Sequence, residues 1–111
     1  MRIPRKSALE SISKIAESAA PGSAVAVESA LRIAQIIQRR KGPAPFVFPT
    51  EIGGIQFEWK GDERELNLEV LPKPGHLAYL KIVKGTPTQE GEIIENAERE
   101  INSLLDWMAS A

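Results

Sequence analysis

Between Ile55 and Val70 apolar and polar side chains alternate one for one. Ile55, Phe57 and Trp59 share one phase against Gln56 and Glu58, and Leu66, Leu68 and Val70 share one phase against Glu65, Asn67 and Glu69. A period of two belongs to a strand with one buried face. Gly61-Asp62-Glu63-Arg64 between the two runs marks a hairpin. With Trp59 opposite Leu66, Phe57 meets Leu68 and Ile55 meets Val70, all on one side. On the other side Lys60 meets Glu65, Glu58 meets Asn67 and Gln56 meets Glu69, so no like charges oppose. A slip of one residue would set the apolar side chains against the charged ones, and the pattern therefore specifies the register.

Helical spacing takes over on either side. Leu9, Ile12, Ala16 and Ala19 predict a short helix over 7–19, broken by Pro21-Gly22. Ser23 is a suitable N-cap for a second helix over 23–40, with Val27, Ala30, Leu31, Ala34 and Ile37 on one face and Ile33 and Ile36 widening it. Gln38-Arg39-Arg40-Lys41 places positive charge at the negative end of that helix, and Gly42-Pro43 ends it. Ala44 to Pro49 reads as an extended segment pinned by prolines, an edge strand or a packed arm. Pro72-Lys73-Pro74-Gly75 turns the chain into a third strand, 76–83. There the alternation fails: Leu77, Tyr79 and Val83 occupy one phase, Ala78, Leu80 and Ile82 the other. A strand apolar on both sides is a strand buried on both sides, so a helix or another chain is expected over the second face. Thr86-Pro87-Thr88-Gln89 has the form of a capped helix start, followed by Glu90, Glu92 and Glu95 and then by Ile93, Ile94, Ala97, Ile101, Leu104, Leu105 and Met108. The expected fold is α+β in a single domain, 1–111. It comprises two N-terminal helices (1–42), a three-stranded antiparallel meander (43–84) and a C-terminal amphipathic helix (86–111).

Composition narrows the classes. A length of 111 residues, 42% hydrophobic and 26% charged, suits one globular core. The absence of cysteine excludes disulfides, thiolate nucleophiles and Cys-ligated metals. No apolar run approaches the roughly 20 residues of a membrane span. Met-Arg-Ile-Pro-Arg-Lys has no signal-type apolar segment behind it, and Glu10 and Glu17 oppose a transit peptide, so a cytoplasmic protein is expected. The net charge of −1 is polarised: residues 1–45 carry eight basic and three acidic side chains, residues 46–111 six basic and twelve acidic. Such polarity serves either two partners of opposite sign or attraction between the two halves.

Catalytic chemistry finds little footing. His76 is the sole histidine; it sits in a turn, and no nucleophile–base–orienter set can be built around it. Without a second histidine a metal site would need carboxylates alone, and none is expected, nor any cofactor. Gly53-Gly54 lacks the helix start and lysine of a phosphate loop. A small enzyme would require Glu58 or Glu51 in an apolar pocket with a raised pKa. A helix-turn-helix is opposed by Ala24, Val25, Ala26 and Val27, where a recognition helix needs polar side chains. Arg39, Arg40 and Lys41, with Arg2, Arg5 and Lys6, still offer non-specific phosphate contacts.

The segment Pro49-Thr50-Glu51-Ile52-Gly53-Gly54-Ile55-Gln56-Phe57-Glu58-Trp59, continued by Arg64-Glu65-Leu66-Asn67-Leu68-Glu69-Val70, resembles a group of small uncharacterised prokaryotic proteins. These share a Pro-Thr, Gly-Gly-Ile, Glu-Trp hairpin and a Tyr-Leu third strand. The resemblance spans about residues 43–81; it implies a fold and a prokaryotic setting, and no established activity comes with it. The leading expectation is thus a non-enzymatic protein-binding or regulatory module, antitoxin-like by analogy. Its partner would be a second copy in a homodimer or the product of a neighbouring gene. The interface is expected at Leu77, Tyr79, Leu80, Ile82 and Trp59. The alternative is nucleic-acid association through Arg39, Arg40 and Lys41.

Overall fold

The hairpin forms in the register that alternation specifies, with Ile55 opposite Val70, Phe57 opposite Leu68 and Trp59 opposite Leu66. The structure is a computed structural model that describes residues 7–18, 24–40, 43–94 and 98–110. Helices α1 (Ala8–Ser18) and α2 (Ala24–Arg40) precede strands β1 (Phe46–Pro49), β2 (Ile55–Lys60), β3 (Arg64–Val70), β4 (His76–Val83) and β5 (Thr86–Ile94); helix α3 (Glu98–Ala109) follows. The strands form one antiparallel sheet in the order β1-β2-β3-β4-β5.

Two expectations about layout are overturned. The meander has five strands instead of three, and residues 86–94 form β5 instead of the first turns of a helix that ran from 86 to 111. The reason lies in Lys84-Gly85, whose φ values of 51° and 79° are both positive. That pair makes the tight two-residue turn that suits the twist of a hairpin. It brings Thr86 opposite Val83 and lets the chain pair back along β4 to Ile94 opposite His76. Gly91, costly inside a helix, fits the strand because the Tyr79 ring fills the place of its side chain. A Cβ on Gly91 would lie 2.8 Å from Tyr79 Oη and 2.9 Å from the ring edge. The proline-pinned segment is an edge strand, β1, paired to β2. The breaks at Pro21-Gly22-Ser23 and Lys41-Gly42, and Glu95 and Ala97, lie outside the described residues.

All three helices pack on one face of the sheet. Ile55, Phe57, Trp59, Leu66, Leu68, Val70, Leu77 and Ile93 meet Ile12 of α1, Ala26, Ala30, Ile33, Ala34 and Ile37 of α2, and Ile101 and Leu104 of α3 in one core. Ser7 caps α1: its Oγ accepts the Glu10 N–H at 3.2 Å. The α2 C-terminus is tied to α3 by Arg39 to Glu98 at 3.1 Å, and by Arg40 to Asn102 at 3.2 Å and to Asp106. Helix α3 is held at its other end by Arg64, which donates to the Trp107 carbonyl and to Ser110 Oγ; the Arg64 guanidinium and the Lys81 ammonium both lie over the Trp107 ring.

The expected cover over the second face of the sheet is absent from the described chain. Its apolar side chains on β4 are instead half-buried among their neighbours on the sheet itself. No described helix is long and apolar enough to cross a membrane.

Candidate protein-interaction face

The uncovered face is built by the polar phase of the central hairpin and by the apolar phase of its flanking strands. Pairing registers place its side chains in rows across the sheet. One row runs Phe46, Glu58, Asn67, Leu80, Glu90; the next runs Phe48, Gln56, Glu69, Ala78, Glu92. Lys60, Glu65, Ile82 and Pro87 form a third, and His76 beside Ile94 closes one corner. Phe46 at 46%, Phe48 at 39% and Ile94 at 57% are large apolar side chains left exposed here.

The face is acidic as well as apolar. It carries Glu58, Glu65, Glu69, Glu90 and Glu92 against Lys60, whose ammonium lies 3.2 Å from Glu58. The Asn67 amide stands near the middle, and its Oδ1 is inaccessible with no hydrogen-bond partner. Five strands about 4.8 Å apart and about seven residues long give a face on the order of 500 Å². That is somewhat less than the ~800 Å² per partner of a standard protein interface.

The residues expected at an interface from sequence do not share one surface. Leu80 and Ile82 are on the open face. Trp59, 3% exposed, and Leu77, 4% exposed, are in the core under the helices, and the Trp59 indole N–H is satisfied by the Pro43 carbonyl at 3.2 Å. Tyr79 lies on the helix side, leaning over Gly91 toward the outer strand, where its hydroxyl accepts from Gln89 Nε2 at 3.2 Å. Phe46, Phe48, Ile94, Glu90 and Glu92 were not among the expected interface residues. The Phe46-Val47-Phe48 alternation and the Lys84-Gly85 turn are the signals that identify them.

Of the basic set, Arg39 and Arg40 face α3 in the pairs already described, and Lys41, Arg2, Arg5 and Lys6 lie outside the described residues. A cleft of about 480 Å³ between α2 and α3 has an apolar floor of Ile33, Ile36, Leu77 and Ile101, and its rim holds Arg32 and Arg39. Both guanidiniums are engaged, Arg32 with Glu28 at 3.4 Å and Arg39 with Glu98. Glu51, exposed in the β1–β2 turn, and Glu58, beside Lys60, do not line this cleft. Among the described residues no three His, Asp or Glu side chains are grouped so as to hold a metal ion.

Comparison with family models, with curated proteins and with solved structures returned no match.

Proposed function

We propose that this protein is a non-enzymatic binding module, antitoxin-like or regulatory in kind, whose open sheet face receives a basic and partly apolar surface of another protein. One observation carries the reading: a sheet with every described helix on one side presents, on the other, five carboxylates interleaved with Phe46, Phe48, Ala78, Leu80, Ile82 and Ile94. Apolar side chains supply the area that association needs, and the carboxylates select the sign of the partner.

The same charges favour an unlike partner over a second copy. Two such faces in contact would bring together two sets of five carboxylates, and like charges in juxtaposition are costly. Nucleic acid is disfavoured for a related reason. The face repels phosphate, and Arg39 and Arg40 are turned toward α3.

The test compares the wild type with the double variant Leu80→Ser, Ile82→Ser, both immobilised and exposed to a prokaryotic extract at rising salt. Specific retention of a basic protein by the wild type, lost in the variant and weakened by salt, is the expected result. Equal retention by both chains, or none above background, overturns the reading.

A further inference from the structure

We infer that the partner adds an extended segment to the free edge of β5 as a sixth strand, with Lys or Arg at alternate positions. This rests on the reading above that the partner is basic and partly apolar.

The two edges of the sheet differ. The β1 edge is four residues long, ends in Pro49 and has α1 packed against it. Strand β5 is nine residues long and last in the sheet order, and among the described residues nothing pairs with its outer side. A long edge with unpaired N–H and C=O groups is a template for strand addition unless something blocks it. Most of β5 also stands clear of the helical layer: from Thr86 to Ile94 only Gly91 and Ile93 are shielded.

The side chains around that edge specify what fits. Glu90 and Glu92 point to the open face, so the added strand's residues on that side pair best when basic. On the opposite side Gly91 has no side chain and the Tyr79 ring lies across it. A side chain of the incoming strand beside Gly91 therefore rests on an aromatic surface, which suits a β-branched or aliphatic residue. Main-chain bonds give such a complex its affinity and the alternating side chains its specificity. The added strand also extends the open face toward the area that a stable interface needs.

A second copy of β5 does not fit the same edge. Two-fold antiparallel pairing centred on Glu90, Gly91 or Glu92 sets carboxylate against carboxylate. Centred on Gln89, it puts Pro87, which has no N–H, opposite Gly91. The bulge that leaves Thr88 unpaired between Gln89 and Pro87 adds twist at the turn end of the strand and closes that end to any added strand, so the sixth strand pairs along Gln89–Ile94.

The experiment uses the full chain and four probes: a blocked eight-residue peptide alternating Val and Lys, its Val-Glu counterpart, and two versions of the Val-Lys peptide N-methylated on one or the other set of alternate amides. Amide exchange and chemical shifts are read by NMR. With saturating Val-Lys peptide the outward-facing amides of Gln89–Ile94 should slow at least tenfold. The Val-Glu peptide should not bind, and one N-methylated peptide should bind at least tenfold more weakly than the other. Three results overturn the inference: no binding of the Val-Lys peptide, binding without protection in β5, or equal binding of all three Val-Lys peptides. Shifts confined to Leu80 and Ile82 would defeat strand addition while leaving the open-face reading intact, and that reading stands or falls on the extract experiment alone.

Discussion

Gly53 and Gly54 are adjacent and meet different demands. Gly53 holds φ at 87°, a left-handed conformation that side chains rarely adopt. Gly54 is needed for space: a Cβ there would lie 2.4 Å from the Val70 carbonyl oxygen and 3.0 Å from Thr50 Oγ1. Neither neighbour can yield easily, because one is β3 backbone and the other accepts the Gly54 N–H at 3.0 Å. Gly54→Ala is therefore expected to lower stability by about 2–3 kcal/mol, by overpacking; a urea midpoint close to that of the wild type would refute this. Asn67 is the opposite case. Its amide oxygen is shut away without a partner, an arrangement that costs about 1–3 kcal/mol. Asn67→Val removes that oxygen and favours a strand. A gain of about 1 kcal/mol is expected in the same denaturation experiment, and a loss would mean that the amide does work elsewhere. Alternation around residue 67 made its face legible from sequence, but not the missing partner, which depends on how neighbouring side chains close over it.

At the scale of elements, the hairpin of β4 and β5 departs furthest from local expectation. Thr86-Pro87-Thr88-Gln89 carries helix-start chemistry, and the acidic residues after it suit a helix N-terminus. Pairing of β5 to all eight residues of β4 outweighs those preferences. The turn that enables it can be probed at Gly85. A Cβ there meets nothing within 4 Å, yet φ is +79°. Gly85→Ala should therefore cost only the left-handed backbone penalty, about 1–2 kcal/mol. Amide exchange should accelerate in β5 while β2 and β3 change less; uniform acceleration across the sheet would show that the hairpin is not a separable unit. The helix expected over 86–111 was legible in its second half, where Ile101, Leu104, Leu105 and Met108 keep helical spacing, and misplaced at its start.

For the whole molecule, the polarised charge resolves into two arrangements. Part of it joins α2 to α3 through Arg39–Glu98 and Arg40–Asp106. Such exposed pairs contribute little individually. Another part, Glu58, Glu65, Glu69, Glu90 and Glu92, leaves the open face acidic. If repulsion between such faces keeps copies apart, the chain is monomeric in light scattering at low ionic strength, and any self-association grows as salt screens the carboxylates. A dimer that forms at low salt and dissociates at high salt would contradict that account and point to a complementary contact elsewhere.

The sequence alone determined the central ribbon. Six apolar side chains at a period of two have a single register that pairs all of them directly across one side of a short hairpin, so no distant contact was needed to choose it. Only the tertiary structure decided that residues 86–94 are a strand, that the helices share one side, and that the other stays open. The first depends on a turn whose left-handed backbone competes with helix-start chemistry in the same residues, the others on packing between helices and strands far apart in the chain; local signals were satisfied equally well by a different answer.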